Sequence, residues 1–403
     1  MTDAELAQPV ATERLRQQNT ALVLRSLRGD GSASRATLAA RTGLSKATVG
    51  TIVQALQDVG AVREDDAVEA VRTGHSGRPG RPVVLDGANI VGLGLEVNVD
   101  YLFGTALDLS GRPVLSRQVI VSRDGDLLAS LVNLATRCLD ELVGQGRRVL
   151  GIAVAIPALV DRATRHVVDA PNLGWRDLDL GATLAAAVGQ DCPVRVDNDA
   201  NCAATAELDH GAARGATDAL YLTGTVGLGA GLVVDGAVRR GAHGLAGEVG
   251  HTPFPGSPTA RCICGRRGCW EASVGLRATL RAVGLPADPG TDPVSAGEEV
   301  ARLARRDASA RAAVRRVAAD LGAGLVPLVG ALDPQVVVLG GYFVPLGPWV
   351  VPVVQRALDR GRGPGRATAS CRVALSTLGL HAASTGAATD VLGDVYAGTL
   401  ALG

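Results

Sequence analysis

The chain has 403 residues, of which 47% are hydrophobic and 20% charged, a globular composition that excludes wholesale disorder. Its 40 basic side chains balance its 40 acidic ones, so net charge indicates neither a nucleic-acid nor a membrane partner. No stretch approaches the roughly 18 uninterrupted apolar residues of a membrane span, and the N-terminus lacks a signal-peptide pattern. We therefore expect a cytoplasmic protein of two or three folding units, whose seven cysteines do not form disulfides.

The first unit, which we place at residues 1–86, has the pattern of a winged helix-turn-helix. An amphipathic helix over 13–28 is followed by a short helix capped by Ser34 and, after a glycine turn, by a longer helix capped by Ser45. The polar face of the longer helix carries small or hydrogen-bonding side chains, as does a helix that reads base edges in a major groove. The alternative is a helical packing domain with a solvated polar face.

A tandem Gly-Arg-Pro sequence at 77–82 lies between two short β-like runs, 61–64 and 83–85. Glycine and proline hold such a loop extended, so Arg78 and Arg81 can enter a narrow, A·T-rich minor groove. The alternative is a linker with incidental arginines, and an acidic run next to it would repel phosphate unless it faces away. Helix-turn-helix and wing together favour DNA binding, with contacts predicted from Ser34, Arg35, Ser45, Lys46, Thr48, Thr51, Arg78 and Arg81.

Beyond this unit the pattern changes to an α/β alternation. Three strand-like runs between residues 90 and 121 precede a helix and a buried strand, and the C-terminal half repeats this order. Two such halves predict a duplicated fold with a cleft between two lobes. We place the lobes at residues 87–207 and 208–403, and we assign the helix after Ala382 to the second lobe.

Cys262, Cys264 and Cys269 lie within eight residues and follow His251. Three thiolates and an imidazole are the ligands of a closed tetrahedral zinc site. Because four protein ligands leave no position open for water, we expect one structural Zn²⁺ per chain. The alternative is three free buried thiols and an unrelated histidine.

Asp197-Asn198-Asp199 follows a predicted strand and opens an alanine-rich helix. A carboxylate at such a junction lies where α/β folds bind ligands, so Asp199 can act as a general base for a hydroxyl. The competing interpretation, which the local sequence favours, is that Asp199 only caps the helix. A glycine-rich turn at 224–231 can admit a phosphate to backbone N–H groups, although glycines are common in hairpins.

Together these motifs resemble the ROK family (repressors, open reading frames, kinases). The resemblance is carried by Glu248-Val249-Gly250-His251, the cysteine knuckle with Trp270-Glu271, Asp197-Asn198-Asp199 and the glycine-rich turn, and the winged helix is similar to that of the repressor branch. It implies an actin-like, RNase-H-like fold with a sugar in the cleft. In the family's kinases, the aspartate that matches Asp199 takes the proton from the sugar hydroxyl. The side chains that the resemblance assigns to the sugar are Asn198, Asp199, Glu248, His251, Glu271 and Asn172.

The segment Glu96-Val97-Asn98-Val99-Asp100 departs from the Asp-x-Gly-Gly-Thr turn of those kinases. Asn98 and Val99 narrow the backbone access that the glycines give to ATP phosphates, and Asp100 adds negative charge there. Phosphoryl transfer depends on positioning and charge neutralisation, so we expect no enzymatic activity.

A retained sugar site beside a degraded phosphate site predicts a sugar-responsive transcriptional regulator of carbohydrate genes, most simply a repressor. We expect it to bind an inverted-repeat operator with A·T-rich flanks, as a homodimer or homotetramer. The alternatives are a sugar kinase with a DNA-binding appendage and a zinc-stabilised regulator that needs no small molecule.

Overall fold

The computed structural model describes residues 3–65, 81–122, 125–189, 192–225, 227–287, 292–361 and 371–402, with side chains from residue 12 onward. Its N-terminal unit consists of three helices and a two-stranded sheet. Its elements are α1 (Asp3–Asp30), α2 (Arg35–Thr42), α3 (Lys46–Asp58), β1 (Val62–Glu64) and β2 (Val83–Leu85). The two strands pair antiparallel, as a wing requires. Helix α1 exceeds the predicted span at both ends, because the apolar stripe on which the prediction rested covers only part of it. Within the described ranges, no helix combines the length and apolar character needed to cross a membrane.

The first lobe is built on a five-stranded sheet in the order β10-β6-β3-β4-β5. Strands β3 and β4 are buried along their whole length, and β4 pairs antiparallel with both β3 and β5. The elements in chain order are β3 (Ile90–Val97), β4 (Tyr101–Asp108), β5 (Pro113–Ile120), α4 (Leu127–Gly144), β6 (Arg148–Ile156), β7 (Leu159–Asp161), β8 (His166–Ala170), β9 (Trp175–Leu178), α5 (Leu180–Val188), β10 (Val194–Asn198) and α6 (Asp199–Asp209).

The second lobe repeats this topology with the order β13-β12-β11-β14-β15. Both sheets begin with a three-stranded antiparallel meander and add two parallel strands at the other edge, which confirms the predicted duplication. The elements are β11 (Ala219–Gly224), β12 (Leu228–Val234), β13 (Ala237–Arg239), α7 (Glu271–Val274), α8 (Leu276–Ala282), α9 (Pro293–Arg306), α10 (Ala308–Leu332), β14 (Val336–Gly341), α11 (Gly347–Gly361), β15 (Arg372–Leu375) and α12 (Ala382–Ala397).

Helix α12 packs on the first lobe, so its assignment to the second lobe is wrong. It lies against α6 and across β3, β4 and β6. The amide of Ser384 donates to Glu96 Oε2 at 3.3 Å, and its hydroxyl lies 2.9 Å from Thr105 Oγ1. The chain returns from the second lobe to the first because the small side chains of α12 fit closely on the first sheet. The order of elements in the sequence does not reveal this packing.

The same helix joins the DNA-binding unit to the first lobe. Leu24 and Leu27 of α1 belong to one continuous hydrophobic core with Val395 and Tyr396 of α12. The guanidinium of Arg28 stacks 4.5 Å from the Tyr396 ring centroid. Because apolar burial and a cation–π contact both hold this junction, the winged helix is docked rather than tethered.

The tight packing of α12 on α6 gives a stability prediction. A Cβ at Gly386 would overlap the carbonyl oxygen of Cys202, so Gly386→Ala should lower the free energy of unfolding by about 1–3 kcal/mol. Gly393 lies in the same helix with open space beside it, so Gly393→Ala should be neutral or stabilising by up to ~1 kcal/mol. Urea denaturation followed by circular dichroism measures both. Equal stability of Gly386→Ala and wild type would contradict the described contact.

Candidate functional site

A cleft of about 280 Å³ opens between the two lobes. The junction of β10 with α6 lines it from the first lobe, and the segment from the 3-10 turn at Val249–His251 to the start of α7 lines it from the second. It brings together all the side chains that the resemblance assigned to a sugar, namely Asn172, Asn198, Asp199, Glu248, His251 and Glu271. Three separate stretches of the sequence supply them, so only folding makes them one site.

The cap of helix α6 is Asn198, and the interpretation of Asp199 as the cap is wrong. Asn198 has an extended backbone, and its Oδ1 accepts from the amides of Ala200 at 3.0 Å and Asn201 at 3.3 Å. Asp199 is the first helical residue, and its Oδ1 also accepts from the Ala200 amide, at 2.9 Å. Since Asn198 satisfies the helix terminus, the carboxylate of Asp199 is left to line the cleft.

Burial makes the carboxylates here hard to ionise. It raises the pKa of Asp199 to about 6; the Ala200 amide opposes this shift, whereas the charge of Glu248 adds to it. Burial likewise raises the pKa of Glu96 to about 8, and the charge of Asp199 raises it further. Near neutral pH, Asp199 is therefore mainly a charged acceptor for a hydroxyl, and Glu96 is mainly a neutral acid.

Asn172 presents an unsatisfied polar atom to the cleft. Its Oδ1 is buried and has no hydrogen-bond partner among the described residues. A buried carbonyl oxygen without a donor costs free energy, which a bound hydroxyl would recover.

Glu271 ties the glycine-rich turn to the cysteine cluster. Its Oε2 accepts from the Leu228 amide at 2.9 Å, and its Oε1 lies 3.4 Å from Cys262 Sγ. A Cβ at Gly227 would come within 2.5 Å of Glu271 Oε2, so a larger residue there would displace the carboxylate end of Glu271. In this chain the turn therefore directs a backbone N–H to a carboxylate, where the sequence suggested a phosphate.

Three thiols and one imidazole converge beside the cleft. The ligand atoms of His251, Cys262, Cys264 and Cys269 all lie within 4.8 Å of one another. Cys264 Sγ and Cys269 Sγ are 3.7 Å apart, and Cys262 Sγ is 3.7 Å from His251 Nδ1. Tetrahedral coordination with metal–sulfur bonds of about 2.3 Å requires sulfur atoms ~3.8 Å apart, so this group has the spacing of a metal centre.

The turn that corresponds to the kinase phosphate loop is closed by its own side chains. Asn98 Oδ1 accepts from the amide of Val99 at 2.7 Å, and Asn98 Nδ2 donates to the Tyr101 hydroxyl at 3.2 Å. That hydroxyl donates to Glu96 Oε1 at 3.0 Å. The Val99 amide, which a glycine turn would direct at phosphate, is thus already engaged by Asn98.

An ion-pair network behind the cleft was missed by sequence reasoning. Asp197 accepts from Arg162 and, at 2.8 Å, from Nε of Arg240, which follows the last meander strand of the second lobe. Nη2 of Arg162 also donates to both carboxylate oxygens of Asp390 in α12, at 2.8 Å each. The members of this network are far apart in the chain. The sequence therefore pointed only to Asp197, which belongs to the Asp197-Asn198-Asp199 motif.

The helix-turn-helix has the predicted caps. Ser34 Oγ and Ser45 Oγ accept from the third amides of α2 and α3, at 3.1 and 3.0 Å. Lys46 and Thr51 are exposed on α3, whereas Thr48 is half-buried. Lys46, Thr51 and the cap Ser45 are therefore the exposed members of the predicted set on the helix-turn-helix.

The arginines of the predicted interface differ in their surroundings. The side chain of Arg35 is 41% exposed, and its Nη2 donates to Gln57 and Glu64, both at 3.2 Å, because the end of α3 and the wing converge there. Arg81 is largely exposed at the wing and lies 4.0 Å from Glu64, so Arg35 and Arg81 together offset the charge of Glu64. Arg78 lies outside the described residues, so its role stays a prediction.

The raised pKa of Glu96 predicts how stability depends on pH. The folded chain retains a proton on Glu96 that the unfolded chain loses above its ordinary pKa of 4.5, so stability falls as pH rises from about 4.5 to 8. Glu96→Gln should remove that slope and become more stable than wild type near about pH 8, but not near about pH 5. Thermal denaturation at both pH values measures this. Glu298→Gln, at an exposed position on α9, is the control; a parallel pH dependence of Glu96→Gln and wild type would contradict the assignment.

Comparisons with known proteins agree with this architecture. The model described as ROK family matches residues 93–392, and the IclR helix-turn-helix domain model matches residues 18–66. The xylose repressor of Bacillus subtilis (strain 168) is 27% identical over 342 residues, which cover 84% of this chain and 85% of the repressor.

Two solved structures are similar in fold. A ROK family transcriptional regulator, described as a homologue of the E. coli MLC protein, has a TM-score of 0.78 and 24% identity and covers 96% of this chain and 98% of its own. A ROK family glucokinase from Streptomyces griseus, in complex with glucose and AMPPNP, has a TM-score of 0.62 and 26% identity and covers 74% and 98%. The predicted α/β fold, a winged helix-turn-helix followed by two actin-like lobes, is thus confirmed. The chain belongs to the ROK family, and its helix-turn-helix domain identifies it as one of the family's transcriptional regulators.

Proposed function

We propose that this protein is a sugar-responsive repressor, which binds operator DNA through its winged helix and a sugar through the interlobe cleft. The observation that carries the proposal is the convergence of carboxylate, amide and imidazole side chains in one cleft of a chain that also has a DNA-binding unit. Such groups are the hydrogen-bonding partners that sugar hydroxyls need. The similarity to the xylose repressor supports a carbohydrate effector.

The alternative, a sugar kinase, is less supported. Similarity to the glucokinase extends over the lobes but leaves a quarter of this chain unmatched. In the phosphate turn, the side chain of Asn98 occupies the Val99 amide. Asp100, next to it, adds a negative charge near the position of a phosphate. We therefore propose that the cleft binds its ligand without phosphoryl transfer.

We also propose that His251, Cys262, Cys264 and Cys269 hold one structural Zn²⁺. Thiolate and imidazole donors suit zinc, and the spacing of the sulfur atoms fits tetrahedral coordination. The ion would crosslink the knuckle to the 3-10 turn that carries His251. Since Glu271 and His251 both border the cluster and the cleft, the same crosslink would fix one wall of the sugar site.

Removal of one thiol tests the metal site. Cys264→Ser should release the metal and lower the melting temperature, because the binding free energy of a structural ion contributes to folding. The measurements are zinc content by atomic emission and thermal denaturation. Cys192→Ser, at a half-buried cysteine outside the cluster, should leave both unchanged. Wild-type protein that contains no zinc when purified without chelators would contradict the proposal.

The DNA partner follows from the winged helix. We propose that Lys46 and Thr51 face the major groove and that Arg81, together with Arg78, approaches the adjacent minor groove. Two copies related by a two-fold axis would place two α3 helices on the half-sites of an inverted repeat with A·T-rich flanks. We therefore propose a homodimer or a homotetramer.

Helix α6 connects the cleft to the DNA-binding unit. It begins with Asp199 in the cleft and ends with Asp209, whose Oδ2 accepts from Arg28 Nη2 of α1 at 2.7 Å. Its 11 residues span roughly 16 Å. A sugar that binds to Asp199 could thus displace α6, whose other end contacts α1. Helix α12 packs against both α6 and α1. We propose that lobe closure on a sugar displaces α1 and lowers operator affinity.

An operator titration with and without sugar tests the proposal. The sugar is first chosen by calorimetry among glucose, xylose and N-acetylglucosamine, and the operator by selection from random duplexes. In wild type, saturating sugar should weaken operator binding by roughly 5–150-fold, the usual range of such couplings. Asp199→Asn should bind the operator normally but respond less, because the hydroxyl loses its charged acceptor.

The same titration separates sensing from transmission. Asp209→Asn should keep both sugar affinity and operator affinity but reduce the coupling between them, since it weakens the contact with Arg28. Asp140→Asn, at an exposed position on α4, is the matched control and should behave as wild type. An undiminished response in Asp199→Asn would contradict the sugar site, and one in Asp209→Asn would contradict transmission through α6.

A further inference from the structure

A second chamber of about 530 Å³ adjoins the cleft, and Pro171 and Asn172 form a wall common to both. Trp175 lines this chamber from the first lobe, and Ile263 and Arg277 line it from the second. The chamber therefore continues the gap between the lobes. It is larger than the cleft that holds the predicted sugar contacts, so a single ring in the cleft would leave it unfilled.

Two polar atoms at this chamber lack partners. Asn172 Oδ1 and Arg277 Nε are both buried, and neither has a hydrogen-bond partner among the described residues. One is an acceptor and the other a donor, so a ligand that carries hydroxyl groups can satisfy both. Because Asn172 borders both the cleft and the chamber, a ligand that bonds to it can extend into either space.

The apolar surfaces of the chamber suit a sugar ring. Trp175 is half-buried against the first-lobe core and lines the chamber, and Ile263 is 52% exposed although it is a large apolar side chain. Binding sites commonly combine such apolar walls with a few directed polar groups. A pyranose ring has an apolar face of C–H groups and a rim of hydroxyls, which is the same combination.

The charges of the chamber disfavour an anion. Among the described residues that line it, Asp100 and Asp126 carry carboxylates and Arg277 carries a guanidinium. The carboxylate of Asp126 is fixed as the cap of α4, where it accepts from the Ala129 amide at 3.0 Å. The two carboxylates would repel the negative charge of a phosphate or a nucleotide. A neutral glycoside carries no charge for them to repel.

We infer that the effector is a neutral sugar of at least two rings, with one ring in the cleft at Asp199 and the next in the chamber between Trp175 and Arg277. This inference rests on the proposed function and specifies its ligand class. The second ring contacts both lobes, as the first does, so it adds to the closure that the proposed response requires. Val99 and Asp100, at the former phosphate turn, then form part of the wall of this subsite.

Calorimetry on the full chain compares glucose, xylose and N-acetylglucosamine with their α-1,4- and β-1,4-linked disaccharides. The best disaccharide should bind at least about tenfold tighter than its constituent monosaccharide, a difference of ~1.4 kcal/mol. Arg277→Gln and Trp175→Ala should reduce that advantage to less than about threefold and leave monosaccharide affinity within about twofold.

Controls separate binding from folding. Arg281 lies one turn further along α8, outside the chamber. Arg281→Gln should therefore keep the full affinity advantage of the disaccharide over the monosaccharide. Trp175 also packs on the first-lobe core, so Trp175→Phe, which keeps an aromatic face, should restore most of what Trp175→Ala loses.

The outcomes distinguish this inference from the function on which it rests. If a monosaccharide binds as tightly as every disaccharide that contains it, and the Arg277 and Trp175 variants change neither affinity, the two-ring effector is wrong while the sugar-responsive repressor stands. If no sugar of either size binds the wild-type chain, both are wrong.

Discussion

The contact between α6 and α12 connects the parts of this molecule that have to act together. Gly386 lets the backbone of α12 approach the Cys202 carbonyl so closely that no side chain fits between them. Through this contact the C-terminal helix is held on the first sheet, beside the helix that begins in the cleft. Because interiors are close-packed, we propose that a shift of α6 is passed on to α12 and to α1.

The cleft illustrates how a phosphate site can be lost while a hydroxyl site is kept. Asn98, Tyr101 and Glu96 satisfy one another by hydrogen bonds, so the turn that would otherwise bind phosphate has become a closed polar cluster. Asp199 is left as a charged acceptor beside it. A phosphate requires several open N–H groups and neutralising charge, whereas a sugar hydroxyl requires only a few well-placed partners. We therefore propose that closing this one turn leaves a cleft that binds a sugar without transferring phosphate.

The lobes already touch where α6 packs on β11 and β12, and an ion pair adds to this contact. Arg240 of the second lobe already pairs with Asp197 of the first lobe behind the cleft. In front, Ile263 and Arg277 face Trp175 across an open chamber. The chamber is a gap between the lobes, and the proposed two-ring ligand would add contacts between them there.

The sequence by itself determined the local features of this protein. Serine caps, the 3.6-residue period of α3, the strand meanders and the cysteine spacing depend on neighbours along the chain, and the structure agrees with each of them. The interpretation of Asp199 as the helix cap was wrong, since the cap falls on Asn198, and the contacts of Arg35 with Gln57 and Glu64 were not predicted. The position of α12, the pairing of Asp197 with Arg240 and the second chamber were decided only by tertiary structure. These depend on close packing and ion pairs between residues far apart in the chain, and no local pattern records which distant surfaces will fit each other.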